Sequence, residues 1–416
     1  DPEGQALTYN WNFGDGTTAI GNITQTHEYQ KAGSYVATVI VTDVNGLTSQ
    51  KSVTIAASSI PLPPDPNTRA PILTNKLNPT MEEQISFLYT GPNPIQTGVD
   101  VTKIVPDQLI AIRGRILDEN GNPLSGVSVR SLNESHFGET LTRADGTYDF
   151  AMNAGGNFTM DFTRAGYLKA QRAGPSDPQP YNVMPEVIMK RLDPKVTTIA
   201  LSAPTAQVAQ GTTQTDSDGA RTATVIVPAN TQGHLVMPDG STRAVISLNL
   251  RVTEFTVGEN GPKQMPATLP PRSAYTYAAE LSSDEGIALG AEHIQFSKPI
   301  AYYVDNFLNI PVGTAVPLGT YDYAKGYWSA QKDGVVVRFV GIENGEAKLD
   351  FGNGPATALE LQQFNVTAEE LRKLAEVYVA GKTLWRISLD RFSPLDLNFM
   401  GGNAQSIVKA KVPLQN

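Results

Sequence analysis

The sequence predicts a mainly β protein of tandem immunoglobulin-like β-sandwich domains, with two short helices in its C-terminal part. Three observations carry that expectation. Apolar residues alternate with polar or small ones along many short runs, as at Leu7, Tyr9, Trp11 and Phe13, and a period of two places them on one face of a strand. Glycine, asparagine and proline interrupt these runs at turn spacing, as at Gly14-Asp15-Gly16 and Asn45-Gly46, the second being a two-residue hairpin signal. From Val196 onward the strands are long, and helical punctuation is read at two places there, Ser282-Ser-Asp-Glu285 and Thr367-Ala-Glu-Glu370.

Composition bounds the answer. At 416 residues the chain exceeds one ordinary β-domain and suggests about three or four. Hydrophobic residues make up 40% and charged residues 18%, enough apolar material for packed cores and too little charge for a solvated, disordered chain. The net charge of −9 argues against nucleic acid as a partner, because no Lys/Arg cluster would release counterions from phosphates. Apolar runs such as Val335-Val336-Val337 are strand-sized and fall far short of the roughly 20 residues a membrane helix needs, so no membrane insertion is expected in this stretch. Without cysteine, disulfides, thiolate metal sites and cysteine nucleophiles are excluded. The chain opens on Asp1-Pro2-Glu3-Gly4 with no initiator Met or signal peptide and reads as a fragment.

The first domain is placed at 1–57. Its longest strand runs from Ser34 to Asp43, with Tyr35, Ala37, Val39 and Val41 on one face. Asp1-Pro-Glu-Gly4, Tyr9-Asn-Trp-Asn-Phe-Gly-Asp-Gly16, His27-Glu-Tyr29, Gly33-Ser-Tyr35 and Val41-Thr-Asp43 resemble the PKD domain, an immunoglobulin-like sandwich. Members of that family have a strand ahead of the Asp-Pro-Glu-Gly segment, so the resemblance implies a partial domain whose parent extends upstream. It also implies calcium as a possible cofactor, with Asp1, Glu3 and Asp43 as oxygen ligands. These are few beside the about six to eight oxygens that calcium takes.

Residues 58–107 are assigned to a Pro-rich linker, on the prolines from Pro61 to Pro71, followed by an undecided segment. Within it Met81 to Tyr89 fits a short helix or a strand. From Ile110 the alternation returns at Ile110, Ile112 and Ile116, then Val127 and Val129, Tyr148, Phe150 and Met152, and Phe158, Met160 and Phe162. Ile112-Arg-Gly-Arg-Ile-Leu-Asp118, Pro123-Leu-Ser-Gly-Val-Ser-Val129, Thr142-Arg-Ala-Asp-Gly-Thr-Tyr-Asp-Phe150 and Ala165-Gly-Tyr167 resemble the carboxypeptidase regulatory-like, or transthyretin-like, domain over 108–192. The resemblance implies an interaction module without chemistry of its own.

Longer strands follow at Thr222 to Val227, Val245 to Val252 and Ile294 to Val304. Ser282-Ser-Asp-Glu285 and Thr367-Ala-Glu-Glu370 fit capping boxes, in which the N-cap hydroxyl and the N3 carboxylate satisfy each other's amides. The second opens a helix near 367–379 that presents Leu371, Leu374, Ala375 and Tyr378 on one face and ends before Gly381. Residues 193–260 loosely resemble a ZU5-type sandwich. Residues 261–416 resemble the region preceding the barrel of bacterial Rhs/YD-repeat, teneurin-like proteins, through Met265-Pro-Ala-Thr-Leu-Pro270, Tyr275-Thr-Tyr-Ala-Ala-Glu-Leu281, Gln295-Phe-Ser-Lys-Pro299, Tyr303-Val-Asp-Asn-Phe-Leu308, Leu384-Trp-Arg386 and Phe392-Ser-Pro394. After Pro394 the pattern departs from such proteins, and no YD repeat is present. A barrel and any toxin cargo would lie downstream or be absent.

Motifs that suggest chemistry dissolve on their context. Gly14-Asp-Gly16-Thr-Thr-Ala19 spells a dinucleotide loop, but no helix follows it, and a hairpin turn explains it better. Ala380-Gly-Lys-Thr383 resembles the end of a phosphate loop without its first glycine, and Gly381 reads as a helix C-cap. Asp216-Ser-Asp-Gly219 fails the EF-hand register and reads as a turn. His27, His136, His234 and His293 lack zinc-site spacing. Tyr302, Tyr303, Phe307, Tyr321, Tyr323, Tyr327 and Trp328 form the densest aromatic stretch, the last four being the candidate interaction surface. The stretch is either a stacking platform for sugars or core packing, with packing the stronger reading. No catalytic residue is expected. The chain reads as a non-catalytic stalk and barrel-capping segment of a large secreted or surface-exposed Rhs/YD-repeat polymorphic toxin, with its own downstream barrel as partner. An adhesin stalk that binds glycans or cells, and an accessory region of a secreted hydrolase, are the alternatives.

Overall fold

Alternation becomes sheet throughout this computed structural model, which describes residues 7–20, 23–25, 27, 29, 33–57, 61–73, 77–175, 178–258, 260–270 and 275–399. The chain forms two units, Asp1–Leu62 and Pro63–Asn416. The first is an antiparallel sheet in the order Thr18–Ile20, Thr8–Asn12, Gly33–Thr42, Thr48–Ala57. Tyr9 lies opposite Val41 and Trp11 opposite Val39, which puts the predicted apolar residues on one face. Gly14-Asp15-Gly16 is a hairpin turn; a Cβ on Gly14, at φ +82°, would stand 2.6 Å from the Val36 carbonyl oxygen. The second hairpin departs from the expected two-residue turn. Its strands end at Thr42 and resume at Thr48, because the Asp43 carboxylate accepts from the backbone N–H groups of Asn45 at 2.9 Å and Leu47 at 2.8 Å and holds a longer loop.

The second unit begins with a sandwich built on the strand Leu109–Leu117. This strand pairs antiparallel with Thr147–Asn153 and parallel with Tyr181–Val183 and Val187–Ile188. Facing it is a sheet in the order Ala170–Ala173, Thr159–Thr163, Ser128–Ser131, Glu139–Leu141, Gln96–Thr97. Ile112, Ile116, Val129, Phe150, Met160 and Phe162 are fully buried between the two. The undecided segment resolves into a short helix, Met81–Ile85, with a complete Thr80/Glu83 capping box. Ile85, Leu88, Tyr89 and Ile95 then pack on Leu109 and Ala151. Buried Gln96 completes the join, donating to the carbonyls of Phe137 at 2.7 Å and Ala151 at 2.8 Å while accepting from Ala151 N at 2.6 Å. The module therefore starts near residue 80, and its N-terminal segment is part of its core.

Residues from 194 to 399 form one larger sandwich. A six-stranded sheet runs Thr197–Ala200, Ser247–Glu254, Ala278–Ser283, Pro394–Asp396, Gly319–Asp322, Tyr327–Ala330. It packs on a nine-stranded sheet centred on His293–Asp305 and Thr383–Phe392. The expected division at 260 is corrected by this pairing. Ser247–Glu254 bonds to Ala278–Ser283, and Ala223–Val227 bonds to His293–Asp305, so both sheets run across it. A separate 193–260 sandwich would leave these strand edges without partners.

Neither predicted capping box forms as expected: the first is displaced by one residue, since Ser283 and not Ser282 is the N-cap, and the second keeps only its N-cap half. The helix Asp284–Leu289 is capped by Ser283, whose hydroxyl accepts from Gly286 N, while Glu285 is drawn away to accept from Asn249 N and Nδ2. Thr367 caps the helix Ala368–Val377, but Glu370 turns inward to Arg386. A third short helix in this region, Ala358–Gln363, carries the complete box, between Thr357 and Glu360. Gly381 is not a C-cap. The longer helix ends at Tyr378, which is already extended, and Gly381, at φ +94°, sits in the turn where its N–H donates to Phe339 O at 2.6 Å. Leu371, Leu374 and Tyr378 cover the outer face of the nine-stranded sheet. Leu374 is 0% exposed and Leu359 is 73% exposed, so Leu374→Ala should cost about 2–5 kcal/mol and Leu359→Ala within about 0.5 kcal/mol in urea denaturation.

Candidate functional site

The six-stranded sheet presents two buried faces, and the second is where distant parts of the sequence meet. Tyr277, Ala279 and Leu281 point into the sandwich core. The alternate residues, Ala278 and Glu280, point outward. Register extends this outer face across the sheet, since Asp396 lies opposite both Ala278 and Gly319, and Tyr321 lies opposite Trp328. Against it sits the 80–192 module, with Leu168 packed on Phe255, Met265, Tyr275 and Ala278.

Polar groups join the two bodies around this apolar patch. Gln171, 0% exposed, accepts from the Tyr321 hydroxyl at 2.7 Å and donates to Tyr323 O at 2.9 Å and Asp161 Oδ1 at 3.0 Å. Its backbone N–H donates to Pro266 O at 2.7 Å. Arg172 spans the seam with no carboxylate, donating to the carbonyls of Gln171 at 2.7 Å, Met265 at 3.1 Å and Lys263 at 2.8 Å. Burial presses its guanidinium down to about 10, which leaves it charged at neutral pH and held by carbonyl dipoles. The turn after Asp322 closes the far side. Asn133 Nδ2 donates to Ala324 O at 3.0 Å, and a Cβ on Gly326, at φ +72°, would stand 3.2 Å from Leu132. Glycine meets both the backbone sign and the close approach.

The covalent connection is clamped as well. Buried Asp193 donates its N–H to Thr253 Oγ1 at 2.9 Å, its carboxylate accepts from Thr212 N at 2.9 Å and Lys195 N at 2.7 Å, and Arg251 donates to its carbonyl at 2.7 Å. A connector with every polar group engaged is not a flexible linker.

The aromatic residues singled out from the sequence fall on this seam. Tyr321 and Tyr323 lie beneath the module, with ring centroids 5.3 Å apart, and burial drives both hydroxyls above the ordinary tyrosine range. Trp328 is half-buried against Tyr321, and its indole N–H donates to Thr268 O at 3.1 Å. Tyr327, 50% exposed, is the ring of this set that faces solvent. Of the calcium candidates, Asp1 and Glu3 lie outside the described residues, and Asp43 caps its own loop. No group of three or more His, Asp or Glu side chains able to hold a metal occurs among the described residues. Asp216 of the Asp-Ser-Asp-Gly segment forms a tight hairpin turn and grips Arg221 with both oxygens, at 2.8 and 3.0 Å. Burial raises the Asp216 carboxyl, but hydrogen bonds from Arg221 and from the backbone of Asp218 and Gly258 outweigh it and hold it at about 2.

Gln171, Arg172, Asp193 and Glu280 were not anticipated from the sequence. The available signal was weak: Gln171 and Arg172 are adjacent polar residues inside a strand, and Glu280 is a lone acid in the otherwise uncharged run Ala278-Ala-Glu-Leu-Ser-Ser283. A second feature was equally hidden. A groove of about 690 Å³ separates the helices near 358–377 from the nine-stranded sheet. On its floor the fully buried Arg386 forks onto both oxygens of Glu370, at 2.7 and 2.9 Å, and Tyr303 donates its hydroxyl to the same carboxylate.

Comparison with known proteins matches the two modules and not the chain as a whole. Residues 106–189 match the model of the teneurin TTR-like domain, and residues 1–57 match that of the PKD domain. Teneurin-3 of Danio rerio is 32% identical over 120 residues, and teneurin-3 of Mus musculus is 31% identical over 127, each match covering 29% of this chain and 4% of the relative. Teneurin-4 of Mus musculus is 27% identical over 151 residues, 33% of this chain and 5% of the relative. The chain thus spans a small fraction of the length of the relatives it matches. Among solved structures, the Streptococcal ancillary pilin aligns over 64% of this chain and 65% of its own at 10% identity and a TM-score of 0.17, too low to argue from.

The seam makes a direct prediction for stability. Gln171→Ala strands the Tyr321 hydroxyl and the Tyr323 carbonyl, and should cost about 1–3 kcal/mol for each buried group left unpaired. Tyr327→Ala should stay within about 0.5 kcal/mol. Chemical denaturation monitored by tryptophan fluorescence separates the two, and equal effects would mean that the Gln171 contacts contribute nothing.

Proposed function

We propose that this chain is a non-catalytic structural and interaction segment of a large extracellular or surface-exposed protein of the teneurin-like, Rhs/YD-repeat kind. In this reading residues 80–399 act as a rigid bracket. The 80–192 module braces the C-terminal sandwich, and the sandwich seats or caps the opening of a barrel formed by the rest of the polypeptide. The PKD-like domain, earlier in the chain, belongs to the stalk.

The observation that carries the reading is the buried polar seam. Domains that move independently meet over modest, exposed interfaces, whereas Gln171, Arg172 and Asp193 are buried with their polar groups engaged across the join or at the connector. A part that holds another part in place needs that fixed geometry. The match of 106–189 to the teneurin TTR-like domain supports an extracellular setting, and the motifs between Met265 and Pro394 support the barrel. The candidate aromatic surface gives the glycan-binding alternative little support, because Tyr321 and Tyr323, two of its four rings, lie under the module.

Cryo-electron microscopy of the whole secreted protein tests the proposal. The expected image is a repeat barrel with residues 194–399 against one of its ends. A protein without a barrel, or with this region tethered away from it, would overturn the reading.

A further inference from the structure

The seam contains a hydroxyl with one proton and two acceptors. Tyr323 Oη lies 2.8 Å from Lys169 O and 2.9 Å from Glu280 Oε2, and a phenol donates to only one of them. With Glu280 ionised, one acceptor in this largely buried site goes unserved. With Glu280 protonated, the carboxylic acid donates to Tyr323, Tyr323 donates to Lys169 O, and the chain of hydrogen bonds closes from the sandwich to the module.

We propose that Glu280 is a proton-operated latch, whose protonated form fastens the 80–192 module to the sandwich and whose ionised form loosens that join.

The surroundings favour the neutral acid. Lys169 is the cation whose charge acts on Glu280, and its ammonium already pairs with Asp161 at 3.0 Å and lies over the Tyr323 ring at 5.3 Å. Glu292 draws on the field of the same ammonium. Arg172 is committed to carbonyls, and Tyr321 to Gln171. On one neighbouring strand Glu280 faces Thr253, and Arg251 two residues away is paired with Asp284 at 2.6 Å. On the other it faces Pro394, and two residues on Asp396 is a buried acid, itself raised by burial to about 7, that adds no positive charge. Burial raises Glu280 to about 7, against opposing contributions from Tyr323 and Lys169.

The direction follows from linkage. The closed seam binds the proton more tightly than the open one, so closure is most stable below the ordinary glutamate range and weakens as pH rises through about 7. If opening returns Glu280 from about 7 to its usual 4.5, the opening equilibrium should rise about 30-fold between pH 5.5 and pH 8.5.

Hydrogen exchange on the full chain reads this at the amides of 168–173 and of Lys263, Gln264, Met265 and Ala267, after correction for intrinsic rates. Wild type should show the rise of about 30-fold, and Glu280→Gln, neutral at every pH with an N–H to offer Tyr323, should flatten it to less than about 3-fold. An unchanged rise in Glu280→Gln, or a flat wild type, would overturn the latch. Carbon-13 NMR of the Glu280 carboxyl in wild type gives a test that needs no variant: a midpoint near 7 supports the latch, and one near 4.5 refutes it.

Discussion

Gln171 lies where the module and the sandwich meet, and its amide is spent on both at once: its oxygen receives the Tyr321 hydroxyl, and its nitrogen serves Tyr323 O and Asp161. Next to it Arg172 brings a charge into the join and neutralises it with backbone dipoles alone. Such groups are costly to bury and costlier to leave half-satisfied. The seam therefore favours one arrangement: sliding the bodies by a single residue would strand several donors together. An apolar patch of Leu168, Met265 and Ala278 could tolerate such slippage; the polar ring around it does not.

Much of the larger sandwich follows the same logic. Its two sheets are closed by strands that return from far along the chain, so Pro394–Asp396 sits between Ala278–Ser283 and Gly319–Asp322. The outer face of one sheet is covered by helices and that of the other by the module. Buried ion pairs mark both halves, Arg221 with Asp216 and Glu254, and Arg386 with Glu370. Removing one partner of such a pair leaves an uncompensated buried charge, which is why these positions tie strand to strand and helix to sheet.

Local signals were legible where the physics is local. Alternation at Tyr9, Trp11 and at Ile110, Ile112, Ile116 marked real strands, and Leu371, Leu374 and Tyr378 marked the face of a real helix. The N-cap at Thr367 was readable, but the destination of Glu370 was not, because its partner Arg386 lies on a strand of the nine-stranded sheet beneath the helix, after the helix in the chain. The Met81 segment was ambiguous because its stabilising contacts, Leu109 and Ala151, come later in the chain. The boundary expected at 260 failed for the same reason, since strand pairing across it is long-range. Whether Tyr321 and Tyr323 face water or another module depends on a surface contributed by residues 159–173, and no pattern within 321–328 could report that.

The central claim is that module and sandwich are one cooperative body, and native-state hydrogen exchange in increasing urea tests it most directly. Amides of Leu109–Leu117 in the module and Thr383–Phe392 in the sandwich core should lose protection together, at one denaturant concentration and with one slope. Loss of protection in the module well before the sandwich would show that the seam is a contact between independent domains, and would contradict the account.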